Sequence, residues 1–99
     1  MTGLRVRRGI ALVEVFGICL LVADEEARKE CPYLRQLNEI GAFIWRQLEE
    51  GKEADEIEFL LRDFYDVPES YDLEADLKGF MTSLHKDHYI LLEGENNEV

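Results

Sequence analysis

The spacing of apolar residues changes midway along the chain, from strand-like runs before Asn38 to helical stripes after it. Residues 10–15 are rich in aliphatics and predict a strand, Phe16-Gly17 a two-residue turn, and residues 18–23 (Ile-Cys-Leu-Leu-Val-Ala) a second strand, so the two form a hairpin. Residues 24–30 are charged and predict a loop over solvent, closed by Cys31-Pro32 because proline disfavours helix at the residue before it. A third strand is predicted over residues 33–37. With a period of two, Tyr33, Arg35 and Leu37 take one face and Leu34 and Gln36 the other.

Asn38 is the hinge. Its side-chain oxygen suits an N-cap and Glu39 places negative charge at a helix start, which predicts a helix over residues 39–50 stopped at Gly51. Ile40, Phe43, Ile44 and Leu48 form its apolar stripe, Trp45 lies beside it as a core residue, and Gly41 in the first turn points to a close backbone contact. A second helix fits residues 54–65 through Ile57, Leu60, Leu61 and Phe64, with Val67-Pro68 closing it and Glu58 and Arg62 at pairing distance along its surface. A third starts behind Asp72 and carries Leu73, Leu77, Phe80, Met81 and Leu84 on one face, ending near Asp87. Residues 4–8 are a basic lead-in, residues 89–93 a terminal strand or extended arm, and residues 94–99 a polar tail expected to fray. The fold class is therefore α+β, with a three-stranded antiparallel sheet followed by three helices, an outline shared with the winged helix.

Ninety-nine residues predict a single domain spanning 1–99. No apolar run approaches the roughly 18 residues that a membrane span needs, and the basic N-terminus makes a poor signal peptide because Glu14 interrupts the apolar stretch behind it. The expected location is cytoplasmic. The formal charge of −11 is unevenly spread: residues 1–48 hold seven Lys and Arg against six Asp and Glu, whereas residues 49–99 hold four against sixteen. An acidic half of this kind repels a phosphate backbone, so nucleic acid is not an expected partner.

Catalytic chemistry finds little footing. Cys19 and Cys31 form no C-x-x-C unit and are expected as thiols, a disulfide between them being the alternative. His85 and His88 lie three apart near a helix end but lack companion ligands, so no metal is expected. The carboxylates fall at the spacing of solvated helix faces, and no glycine loop is built to cradle a phosphate. A binding module with no cofactor is the expectation.

The stretches Leu37-Asn38-Glu39, Gly41-Ala42-Phe43-Ile44-Trp45 and Leu48-Glu49-Glu50-Gly51-Lys52 also carry a resemblance, continued by Asp55-Glu56-Ile57, Phe64-Tyr65-Asp66-Val67, Asp76-Leu77, Phe80, Leu84 and Tyr89-Ile90. Together they are similar to the PqqD-like family, named for a small protein of pyrroloquinoline quinone biosynthesis and including the recognition elements of ribosomally made, post-translationally modified peptides. The similarity covers about residues 4–93, and the segment from Leu37 into Trp45 is its most telling part. Two departures stand out: His88 occupies a position where many members have glycine, and the loop over residues 24–32 is long and charged.

The resemblance implies a non-catalytic, winged-helix-like peptide chaperone. Members bind the leader of a precursor peptide as an extra strand beside their third helix and present it to a modifying enzyme, often a radical SAM enzyme. Carried onto this sequence, the strand side of the site is Tyr33, Leu34, Arg35, Gln36 and Leu37, and the helix side is Leu73, Asp76, Leu77, Phe80 and Leu84. Arg35 is the expected partner of a leader carboxylate. An open edge strand also admits an edge-to-edge dimer beside the monomer. A structural adaptor subunit without peptide affinity is the alternative function, and a DNA-binding winged helix is disfavoured by the acidic half.

Overall fold

In the computed structural model, residues 3–95 are described. In chain order the elements are β1 (Arg5–Val6), β2 (Ile10–Val15), β3 (Ile18–Ala23), β4 (Leu34–Leu37), α1 (Glu39–Glu49), α2 (Ala54–Phe64), α3 (Leu73–Lys86) and β5 (Ile90–Leu91). Phe16 and Gly17 both take positive φ (51° and 78°), the backbone that a two-residue hairpin turn requires, and Val15 pairs with Ile18 directly across it. The three longer strands form an antiparallel sheet in the order β2-β3-β4, as the sequence pattern implies, with β4 at one edge.

Strand period two divides this sheet into two unlike faces. Leu21, Ala23 and Leu37 point inward and are buried, with Ile10, Leu12 and Cys19 packed partly against the same core. The helices supply the other half of that core through Ile44, Trp45 and Leu48 of α1, Ile57 and Leu61 of α2, and Leu77, Met81 and Leu84 of α3. Trp45 is fully buried, the core position expected of it, although its Nε1 finds no hydrogen-bond partner among the described residues.

The basic lead-in is more structured than its composition suggests. Arg5 and Val6 pair antiparallel with Leu91 and Ile90, so β1 and β5 make a second, two-stranded sheet that joins the two ends of the described chain. Arg7 is buried there, its Nε donating to the His88 carbonyl at 2.6 Å. His88 itself has φ 68°, the left-handed backbone that glycine adopts at least cost, which accounts for glycine being the common choice at this turn. The buried Tyr89 donates its hydroxyl to the Pro32 carbonyl at 2.8 Å and so pins the approach to β4.

Some expectations need correction. Residues 24–30 are not a bare loop: Ala27–Lys29 form a 3-10 turn whose Ala27 is buried and whose amide is capped by the Asp24 carboxylate at 2.8 Å. Ile40 and Phe64 do not sit in the core, being 44% and 68% exposed: Ile40 lies at the rim of the buried face of α1, and Phe64 is the last residue of α2, a turn beyond the buried Leu61. Glu95 holds His85 at 2.9 Å and accepts from the Leu92 amide, so the start of the polar tail is tied down. The remainder of the expected tail, residues 96–99, lies outside the described residues.

Candidate functional site

The site grows from the junction between β4 and α1. The Asn38 side chain accepts from the Gly41 amide at 2.7 Å, which starts α1 one residue after the strand ends. Gly41 then lets α3 close in. A Cβ added there would lie 3.2 Å from Asn38 Oδ1 and 3.4 Å from both Leu37 Cβ and Phe80 Cζ, so the missing side chain is what admits the Phe80 ring.

Between β4 and the helices lies a groove of about 590 Å³. Its apolar lining comes from Leu37, Ile44, Leu61, Leu73, Leu77 and Phe80, and its open side runs along Arg35 and Gln36. No described strand lies beyond β4. The Ala23 amide donates to the Tyr33 carbonyl at 2.9 Å, which sets the alternation of the ladder. Tyr33, Arg35 and Leu37 therefore spend their main-chain groups on β3, while the N–H and C=O of Leu34 and Gln36 aim at the open edge.

Of the residues expected to make the site, Arg35, Gln36, Leu37, Leu73, Asp76, Leu77 and Phe80 line this groove. Three do not. Tyr33 precedes the strand and stacks under the Arg28 guanidinium at 4.9 Å, Leu34 points to the opposite face of the sheet, and Leu84 is fully buried in the core, about two helical turns past Leu77. Sequence reasoning missed Ile40, which it placed in the core stripe, and the turn after α2, where Asp66, Val67 and Pro68 form the far wall. An apolar residue one turn ahead of Ile44, directly behind an edge strand, was the available signal for Ile40.

Arg35 is engaged within the protein. Its guanidinium donates to Asp87 Oδ2 at 3.3 Å and to Ser83 Oγ at 2.9 Å, and lies 5.9 Å from the centre of the Phe80 ring, so it fastens the second half of α3 to β4. On the opposite wall the Tyr71 hydroxyl donates to Asp76, which pushes the phenol pKa up because ionisation would bring two negative charges together. Burial, followed by the Glu39 carboxylate 3.4 Å away, raises Tyr65 in the same direction. The groove offers shape, apolar surface and main-chain hydrogen bonds. Among the described residues no three His, Cys, Asp or Glu side chains are placed to hold a metal ion, both cysteines are free, and burial keeps the Cys31 thiol above its ordinary pKa.

Two solved structures share this architecture. One is a lasso peptide synthetase B1 complexed with the leader peptide, with a TM-score of 0.72 and 23% identity over 91% of this chain and 99% of that one. The other is TbiB1 in complex with the TbiA(beta) leader peptide, with a TM-score of 0.71 and 23% identity over 93% and 98%. No curated protein matches. None of the described helices is long and apolar enough to cross a membrane. The family profile of coenzyme PQQ synthesis protein D (PqqD) matches residues 33–90, from the approach to β4 through the whole helical half, and the chain thus belongs to the PqqD family.

Proposed function

We propose that this protein binds the leader segment of a precursor peptide as an added strand on β4 and presents it to a modifying enzyme, without catalysing a reaction itself. The observation that carries the reading is the pairing of an open strand edge with an apolar groove immediately behind it. Main-chain hydrogen bonds to Leu34 and Gln36 supply affinity for any extended peptide. Side chains turned toward Ile40, Ile44, Leu77 and Phe80 supply selectivity.

Ordering the free leader costs about 2–5 kcal/mol, and a net affinity near micromolar, about −8 kcal/mol, is the expected balance. The expected pairing of Arg35 with a leader carboxylate requires exchange with Asp87, so we assign Arg35 first to holding α3 against the strand. The resemblance pointed to a radical SAM maturase, and the two fold relatives carry the names of lasso peptide systems. A search for the enzyme partner should include both classes.

The test is a titration of isotope-labelled protein with the leader of a short open reading frame encoded beside it. Saturable binding with the largest amide shifts at residues 34–37 and along residues 73–80 supports strand addition. Absence of binding to every neighbouring peptide, together with co-purification of a neighbouring enzyme, moves the assignment to a structural adaptor.

A further inference from the structure

The outward face of the three-stranded sheet is almost wholly apolar. Ala11, Val22 and Leu34 lie side by side across the strands, Val13 and Leu20 make the next row with Gln36, and Val15 pairs with Ile18 next to the turn. Gln36 is the single polar side chain in these rows. Val13, Val15, Ile18 and Leu34 are 38–48% exposed, and Phe16 at the turn is fully exposed on a left-handed backbone that bulky residues seldom adopt. An antiparallel sheet with one face in water normally alternates apolar inward with polar outward, and this one does not. A continuous apolar face of this kind marks a contact surface.

We propose that a second copy of this chain covers it, sheet against sheet about a two-fold axis. The argument is one of charge and area. The protein carries −11, and its excess of carboxylates lies in residues 49–99, on the helical layer behind the sheet. Stacking the two uncharged faces turns both acidic layers outward, with two sheets about 10 Å apart between them, farther than the screening length of about 8 Å at physiological salt. Contacts made through the helical side of either copy bring acidic layers together instead. A two-fold contact also needs a self-complementary surface, and rows of Val, Ile and Leu pack on their own kind in the aligned manner of a β-sandwich.

Side chains of these sizes and exposures present roughly 500–700 Å² per copy, hence on the order of 1,000–1,400 Å² in total, at the low end of specific interfaces. The contact leaves the open edge of β4 uncovered, so it stands independently of the peptide-binding reading.

Sedimentation equilibrium of the full chain from about 1 to 500 μM, at 0.15 and 0.5 M NaCl, tests it. The expected result is a reversible dimer that does not weaken at higher salt. Val13→Lys should loosen it at least tenfold, whereas Phe59→Lys, an exposed apolar site on α2, should leave it unchanged. Val15→Lys serves as the second face variant should Val13→Lys lose its native circular dichroism. Methyl resonances of Val13, Val15, Ile18 and Leu20 should move with concentration while amide exchange at Leu34 and Gln36 does not. A monomer throughout the range overturns the proposal, even if another protein is found on this face. Protection of the edge amides, or a dimer equally tight in the lysine variants, likewise overturns it.

Discussion

Gln36→Pro is the substitution that separates an edge-strand site from a simple apolar pocket. Proline removes one main-chain donor, and at residue 36 that donor aims away from β3, so the internal ladder keeps its bonds. The stability cost should stay below about 1 kcal/mol because an edge strand tolerates proline where its N–H faces outward. A peptide paired on β4 loses one hydrogen bond, about 0.5–1.5 kcal/mol, and must also move away from the pyrrolidine ring, which fills part of the 4.7–4.9 Å strand spacing. Affinity should therefore fall at least tenfold, read by fluorescence anisotropy of a labelled leader. Arg35→Pro is the contrasting case, since it breaks a bond to Leu21 and frees Asp87, and it should unfold the sheet. A Gln36→Pro protein that melts normally and binds the leader as tightly as wild type would refute strand addition and leave only side-chain recognition in the groove.

Gly41→Leu should weaken the same binding by more than it lowers the melting temperature, because its branch enters the space between Leu37 and Phe80 where the groove narrows, and parallel anisotropy and calorimetry would show the difference. His88→Gly should raise stability by a few tenths to about 1 kcal/mol, since glycine relieves a φ of 68° while the backbone acceptor for Arg7 stays in place; a chemical-denaturation midpoint that falls would contradict this. Burial pushes the Tyr89 phenol up to about 12, so folding holds its proton: the stability this contributes is complete below pH 10 and is lost as pH rises through about 12. In an ultraviolet titration Tyr89 should ionise last, together with loss of far-ultraviolet circular dichroism, and Tyr89→Phe should abolish that final step.

Much of this arrangement was legible in the residues because local rules and tertiary packing agree there. Asn38 caps α1, Asp72 caps α3 through the Ala75 amide, Phe16-Gly17 makes the turn, and Glu58 pairs with Arg62. What escaped the reading depends on distant contacts. Arg5 and Val6 become a strand only because Ile90 and Leu91 return to pair with them, a partnership between opposite ends of the sequence that no local pattern carries. Helical periodicity predicts which side of α1 is apolar but not how far the core reaches. Ile40 and Ile44 share a stripe, yet one lines the groove mouth at 44% exposure and the other is buried at 5%. Arg35 was only half legible for a related reason: charge on an edge strand suggests a ligand, and the partner it has within the protein stands 52 residues away at the end of α3.

The openness of β4 follows from the same connectivity. Proteins ordinarily blunt an exposed edge with proline, a bulge or an outward lysine. Leu34-Arg35-Gln36-Leu37 has none of these, and its one charge turns inward to Asp87. Nor can the chain cover the edge with its next segment, because the Asn38 cap turns the backbone into α1 immediately after Leu37, and α1 with α3 then forms the back wall of the groove rather than a lid over it. What blunts the strand is its shortness: four residues expose two outward donor–acceptor pairs, and the proposed role asks these to align a peptide whose side chains enter the groove behind. An edge built to be closed would carry a charge or a proline at Leu34 or Gln36, where the sequence instead has an apolar and a neutral side chain.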